Sequence, residues 1–228
     1  MTRLVLALLS VSAIAHAGSI KGTVLFEGEP PEQPKLKRDV DPKCSQDRHD
    51  EAIVVTKGKL RDVLVRIKNG STGKHDAPAT PVVIDQQDCM YTPRVVGLVA
   101  GQKLAVRNSD KTFHNVHGTL SGKDLFNKPM SPKAADLALD PSTAKPDDVV
   151  NLQCDVHAWM KSYAVVNDSP YFAVTAADGT FEIKDLPVGD YTLEAWHPVL
   201  GTKTLNVSIG KGKRGDVTAR FSYKQNEM

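Results

Sequence analysis

The densest chemistry in this chain lies in seven consecutive residues, Cys154-Asp155-Val156-His157-Ala158-Trp159-Met160. Their spacing, C-x2-H-x2-M, puts a thiolate, an imidazole and a thioether on one short loop. A soft sulfur, a borderline nitrogen and a weak thioether suit copper. A trigonal two-His, one-Cys site with a long axial Met is the electron-transfer form of that set. The loop supplies one His, so a second must come from elsewhere in the fold. The upstream stretch Asn108-Ser109-Asp110-Lys111-Thr112-Phe113-His114-Asn115-Val116-His117 offers it. In an extended strand His114 and Val116 share one face while Asn115 and His117 point the other way. That alternation favours one of the two histidines as inward-facing.

Together, His114-Asn115-Val116-His117 and the C-x2-H-x2-M loop resemble the cupredoxin (blue-copper) family, amicyanin- or plastocyanin-like in type, over roughly residues 80–166. The short spacing from Cys to His to Met is most similar to amicyanin. The resemblance implies a Greek-key β-sandwich holding one copper ion that cycles between Cu(I) and Cu(II). It implies His114, Cys154, His157 and Met160 as ligands, with His114 rather than His117 on the metal. Asn115 and Asp155 are implied as supporting residues, although many relatives carry Thr or Ser where this chain has Asp155. Electrons are expected to pass through an exposed edge of His157 at one end of the sandwich, with Trp159 packing at the rim. By analogy the partner is a redox protein such as a c-type cytochrome or a quinoprotein dehydrogenase.

Three cysteines occur in the chain, Cys44, Cys89 and Cys154. An odd count in an exported protein suggests one disulfide and one thiol with another task. If Cys154 binds copper, Cys44 and Cys89 remain as the pair. That bond would stabilise the fold by roughly 4 kcal/mol on the chain-entropy argument. The competing arrangement joins Cys154 to another cysteine and destroys the site.

Export is read from residues 1–17. Arg3 is a positive n-region, Leu4 to Ala15 a short apolar stretch, and Ala15-His16-Ala17 a cleavage site, so the mature chain would begin near Gly18. The apolar stretch falls well short of the ~20 residues that span a bilayer. No other stretch is apolar enough, so the mature chain is expected to lack an integral membrane segment and to be periplasmic or secreted. The 228-residue chain carries a formal charge of only +2. Its basic residues are scattered, and Lys211-Gly212-Lys213-Arg214 reads as a solvated turn, so nucleic acid is not an expected partner.

The elements that must position these residues read as all-β. Ser19–Phe26 alternates as a strand. Ala52–Val55 and Asp62–Ile67 read as a hairpin about Lys57-Gly58-Lys59, with residues 30–51 a loop before it. Residues 118–146 read as an irregular excursion with one helical turn near 132–139. Val149–Gln153 delivers Cys154, and Lys161–Val166 leaves the loop. After residue 170 come about five short alternating strands separated by turns, a sandwich pattern. Within it, DGTFEIKDLPVGDYTLEA resembles the carboxypeptidase regulatory-like domain, a non-catalytic transthyretin-like sandwich. The expected division is a copper domain at 71–167 inserted into a sandwich made of 18–70 and 168–224. The alternative is tandem order, 18–167 followed by 168–224. Tyr191 and Trp196 read as core of the second sandwich, and His49, His75 and His197 as structural or solvated.

No nucleophile elbow, H-E-x-x-H or Gly-rich phosphate loop is present. The expected protein is thus an exported type 1 copper electron carrier, not an enzyme and with no catalytic residue. Its rivals are a copper storage or delivery protein using the same residues, and a cell-surface binding module with no metal.

Overall fold

The computed structural model describes residues 18–70, 73–141, 143–210 and 217–224. The export signal read at 1–17 and the basic turn at 211–214 lie outside these. Among the described residues no helix is long and apolar enough to cross a membrane.

The described residues are nearly all β, with strands numbered β1–β18 in chain order and arranged in four sheets. The first sheet contains β15 (Thr180–Leu186), β1 (Gly18–Glu27), β3 (Lys59–Leu60) and β2 (Val55–Thr56), with β18 (Val217–Lys224) parallel to β1. Facing it is a sheet of β14 (Phe172–Val174), β4 (Leu64–Asn69), β16 (Gly189–His197) and β17 (Gly201–Ile209). Ile20, Val24, Val65, Ile67, Ile183, Leu193 and Tyr223 close one core between these two sheets.

The other pair of sheets holds the candidate site. One contains β10 (Lys123–Met130), β9 (His114–Leu120), β12 (Val149–Gln153), β13 (Lys161–Asn167) and β7 (Val95–Val99). The other contains β11 (Leu137–Leu139), β8 (Leu104–Asn108), β5 (Val82–Gln87) and β6 (Met90–Thr92). Ile84, Leu98, Val106, Val116, Leu152, Cys154 and Met160 lie in their shared core.

A third, smaller cluster joins the two sandwiches. Leu64, Val95 and Val165 are buried there, with Phe172 and Trp196 packed against them. This explains why β4, β7 and β13 read as nearly continuous apolar runs: they are covered on both faces. Gly97 belongs to the same contact, because a Cβ there would sit 2.3 Å from the Phe172 ring. Trp196 therefore packs between the sandwiches, while Tyr191 lies in the core of the first. Arg66, buried in the same region, bonds Glu194, reaches the Val166 carbonyl at 3.2 Å and pairs with Asp147 at 3.0 Å.

Several expectations need correction. The hairpin about Lys57-Gly58 joins only β2 and β3. Asp62 has φ 63°, and past it the chain crosses to the facing sheet as β4. Residues 118–146 are not a single irregular excursion: β9 and β10 form a hairpin about Ser121-Gly122, both at positive φ. Two-residue turns with both residues in this region match the right-handed twist of the strands they join. The polar composition of β10 concealed it because β10 is a sheet edge, mostly exposed. The helical turn expected near 132–139 is instead irregular chain leading into the short strand β11.

The stretch 30–51 is largely irregular, as read, but it is pinned down. A 3-10 turn at Pro42–Cys44 is capped by the Asp41 carboxylate, which accepts from the Lys43 N–H at 2.8 Å. Cys44 is buried in the core of the site-bearing sandwich and is disulfide-bonded to Cys89. Cys154 is the free cysteine, as the odd count suggested.

Candidate metal centre

Two sheet features bring the site together. β12 ends at Gln153 and β9 begins at His114, with Gln153 paired opposite His117. The Cys154–Met160 loop then folds back on itself. The Met160 N–H donates to the His157 carbonyl at 2.9 Å, and the Cys154 N–H to the Met160 carbonyl at 3.3 Å.

His114, Cys154 and His157 converge. Their Nδ1 atoms are 2.9 Å apart, and Cys154 Sγ lies 3.9 Å from His114 Nδ1 and 3.8 Å from His157 Nδ1. All three residues are buried. Bond lengths near 2.0–2.1 Å to nitrogen and 2.3 Å to sulfur, as for zinc, allow separations up to about 4 Å between nitrogens and 4.3 Å from nitrogen to sulfur. A first-row ion can therefore touch all three atoms at once.

The outer nitrogens fix which way the lone pairs point. His114 Nε2 lies 2.9 Å from Asp110 Oδ2, and His157 Nε2 lies 3.2 Å from Asp41 Oδ2. A carboxylate only accepts, so each Nε2 carries the ring proton and each Nδ1 is left bare toward its neighbour. Two bare lone pairs 2.9 Å apart repel unless a proton or a cation lies between them. Burial disfavours charge on both rings. His114 is nonetheless raised above the ordinary His range, because Asp110 and Cys154 outweigh its burial. His157 is lowered by burial and by facing His114.

The sulfur is prepared for the same role. Burial alone would raise the Cys154 thiol, but His114 and the backbone N–H groups of Asn115, His157 and Val156 bring it below its usual value. Cys154 Sγ also lies 3.3 Å from Asn115 Oδ1, which accepts the Asp155 N–H at 2.7 Å. The thiolate is the form that binds metal.

Asn115 and Asp155 do meet across the site. The Asn115 amide donates to Asp155 Oδ2 at 2.7 Å, so the Asp makes a link of the kind expected from Thr or Ser. Bonds from His117, Asn127, Gln153 and Asn115 pull the Asp155 carboxyl down to about 2. His117 itself is held between Asp155 at 2.9 Å and Asp124 at 2.8 Å, outside the triangle of donors. Met160 is fully buried in the same core as Cys154.

The His157 edge corrects an expectation. His157 is only 1% exposed. Asp41 faces its Nε2, Cys44 Sγ lies 3.7 Å from that atom, and the Trp159 ring packs at 5.1 Å. No exposed imidazole edge remains.

Sequence reasoning missed Asp41, Asp110 and the proximity of the disulfide. Asp110 lies four residues before His114 in the same quoted stretch. Its role depends on the β5–β6 turn, where Asp88 and Cys89 both have positive φ and donate their N–H groups to its carboxylate at 2.8 Å each. Asp41 gives no local signal; the disulfide, a 2.6 Å bond from Thr112 and the bonds of Arg38 and Arg48 to Asp88 bring its segment to the site.

No family model and no curated protein matches the chain. Solved structures similar to part of it include a purple cupredoxin from Nitrosopumilus maritimus, 19% identical over 38% of this chain and 99% of that one, TM-score 0.32. A reduced amicyanin mutant is 18% identical over 45% of this chain and 98% of that one, TM-score 0.34. A Cu-containing nitrite reductase from Thermus scotoductus SA-01 is 13% identical over 64% of this chain and 28% of that one, TM-score 0.35. These likenesses are distant, and the donor geometry stands independently of them.

Proposed function

We propose that this chain is an exported electron carrier in which His114, Cys154 and His157 would hold one copper ion, with Met160 as a further weak ligand. The observation that carries this reading is the buried triangle of His114 Nδ1, His157 Nδ1 and Cys154 Sγ, with a carboxylate behind each imidazole. Bound copper would supply a one-electron Cu(I)/Cu(II) couple, which two imidazoles and a thiolate suit in both states. Asp110 and Asp41 hold the imidazoles in the donor tautomer, and Asn115 with Asp155 fixes the Cys154 end of the loop. The donors are 0–1% exposed, which leaves no open position for a substrate. That favours electron transfer over catalysis, and it also disfavours the ready exchange a storage or delivery protein needs.

Periplasmic or secreted localisation follows in this reading from the signal at 1–17. The disulfide Cys44–Cys89 accords with an oxidising compartment. The partner is a one-electron redox protein, with a c-type cytochrome or quinoprotein dehydrogenase as candidates by analogy. We place the copper domain at 71–167, inserted into a sandwich formed by 18–70 and 168–224. Support comes from β1, which pairs with β15 and β18. The stretch around Cys44 reaches across to the copper domain.

The experiment is to load the protein with copper and record its absorption and metal content. An intense visible thiolate-to-copper band supports the carrier. Tight colourless binding of metal points to storage, and no binding points to a structural module.

A further inference from the structure

The candidate ligands are shut away from solvent, with His114 and Met160 at 0% and Cys154 and His157 at 1% exposure. An electron carrier must still exchange charge with something outside. Asp41 and Cys44 block the outer nitrogen of His157, so contact has to come through another group.

Trp159 meets the requirement. Among the described residues it is the aromatic side chain beyond the histidine pair itself that contacts either imidazole, at 5.1 Å between ring centroids and tilted 44° from His157. The ring is held in place, because its indole N–H donates to the Cys89 carbonyl at 2.8 Å and the Arg38 guanidinium lies over it at 5.7 Å. The side chain is partly exposed and lines a cleft of about 300 Å³ with Leu36, Ala158, Lys161, Tyr163 and Val199. It therefore touches His157 on one side and lines a surface cleft on the other.

We propose that Trp159 is the electron relay of this protein, taking the place of an exposed histidine edge. This rests on the copper-carrier reading. One electron leaves the site and arrives on a one-electron acceptor at the cleft. The indole serves as the path and is neither oxidised nor reduced. No bond forms or breaks, and the indole proton stays on Nε1, hydrogen-bonded to the Cys89 carbonyl.

The test uses the full copper-loaded chain, reduced and then mixed with hexacyanoferrate(III), an anionic one-electron oxidant. Spectra come first: a wild-type protein without the thiolate-to-copper band overturns the copper reading itself, separately from the relay. With the band present, Trp159→Leu is expected to keep the band and midpoint potential while losing most of the oxidation rate. Trp159→Phe, which retains a ring, should lose less. Wild-type oxidation by a Trp159→Leu protein with an intact band overturns the relay. Should that variant lose the band, two charge reversals decide. Lys161→Glu in the cleft should slow the anionic oxidant more than Lys111→Glu in the turn before His114, and equal slowing overturns the proposal. An independent readout is fluorescence. Copper(II) should quench wild-type tryptophan emission strongly and that of Trp159→Phe, left with Trp196 between the sandwiches, weakly; equal quenching also overturns it.

Discussion

Asp110 holds His114 from behind: its Oδ2 lies 2.9 Å from His114 Nε2. The same carboxylate accepts two backbone N–H groups from the Asp88-Cys89 turn at 2.8 Å each. The disulfide turn, the acid and the histidine thus form one continuous support, and the bare Nδ1 is its end product.

Replacing Asp110 with Asn should weaken metal binding roughly 10–100-fold, the usual cost of losing a carboxylate behind a histidine ligand. The amide can accept from neither backbone N–H as strongly, and it no longer enforces the Nε2–H tautomer. Competition with a chelator measures this, and an unchanged affinity would contradict the role given to Asp110. The same comparison on His114→Ala and His117→Ala should show the large loss only in the first, since His117 is engaged by Asp155 and Asp124.

Reducing or removing the Cys44–Cys89 bond should lower stability by about 4 kcal/mol in metal-free protein, from the 45-residue separation it closes. The effect acts through the unfolded chain, so it should not require copper. Urea denaturation of a Cys44→Ala, Cys89→Ala protein measures it. A midpoint unchanged from wild type would contradict the loop-entropy account.

How much of this was legible in the sequence differs between residues. Cys154 and His157 are close in sequence, and alternation puts His114 and His117 on opposite faces, while the choice of His114 came from the resemblance. Tyr191 and the strands after residue 170 showed the period-two pattern of half-buried strands. Asp41 was invisible because its link to His157 is made by folding across more than a hundred residues, with a disulfide that composition can suggest but not place. Trp196 was assigned to the wrong core because alternation reports burial, not which neighbour does the burying. The edge strand β10 was missed for the opposite reason: an exposed strand has little apolar pattern to read.

Arg66→Ala should destabilise the chain by up to about 3 kcal/mol, because it leaves the largely covered Glu194 without its partner. The Glu194 side chain is 12% exposed and that of Arg66 8%. Joint replacement, Arg66→Met with Glu194→Leu, should recover much of the loss. Equal destabilisation by the single and double variants would show that the pair's charge matters less than the shape it fills.

Stability should fall as pH drops below the ordinary His range, through His197. Its Nδ1 accepts the N–H groups of Val199 and Leu200 at 3.2 Å each, so it must stay unprotonated there. Burial, helped by Arg94, pushes its pKa down to about 3. An unfolded His titrates near 6.5, so below that pH the unfolded chain binds the extra proton and gains stability at about 1.4 kcal/mol per unit. The folded state's advantage is full above about pH 6.5 and declines toward the folded pKa. His197→Asn, which keeps an acceptor but cannot titrate, should flatten this part of the pH–stability curve; an unchanged slope would assign the acid sensitivity elsewhere.

The most direct measurement of the central claim is the absorption spectrum and metal content of copper-loaded wild-type protein beside Cys154→Ser. Only Cys154 is a free thiol, and its sulfur faces both inward nitrogens. The account predicts one copper per wild-type chain and an intense visible thiolate-to-copper band, which Cys154→Ser loses while its β structure persists. A wild-type protein that binds no copper, or a serine variant that keeps the full band, would contradict it.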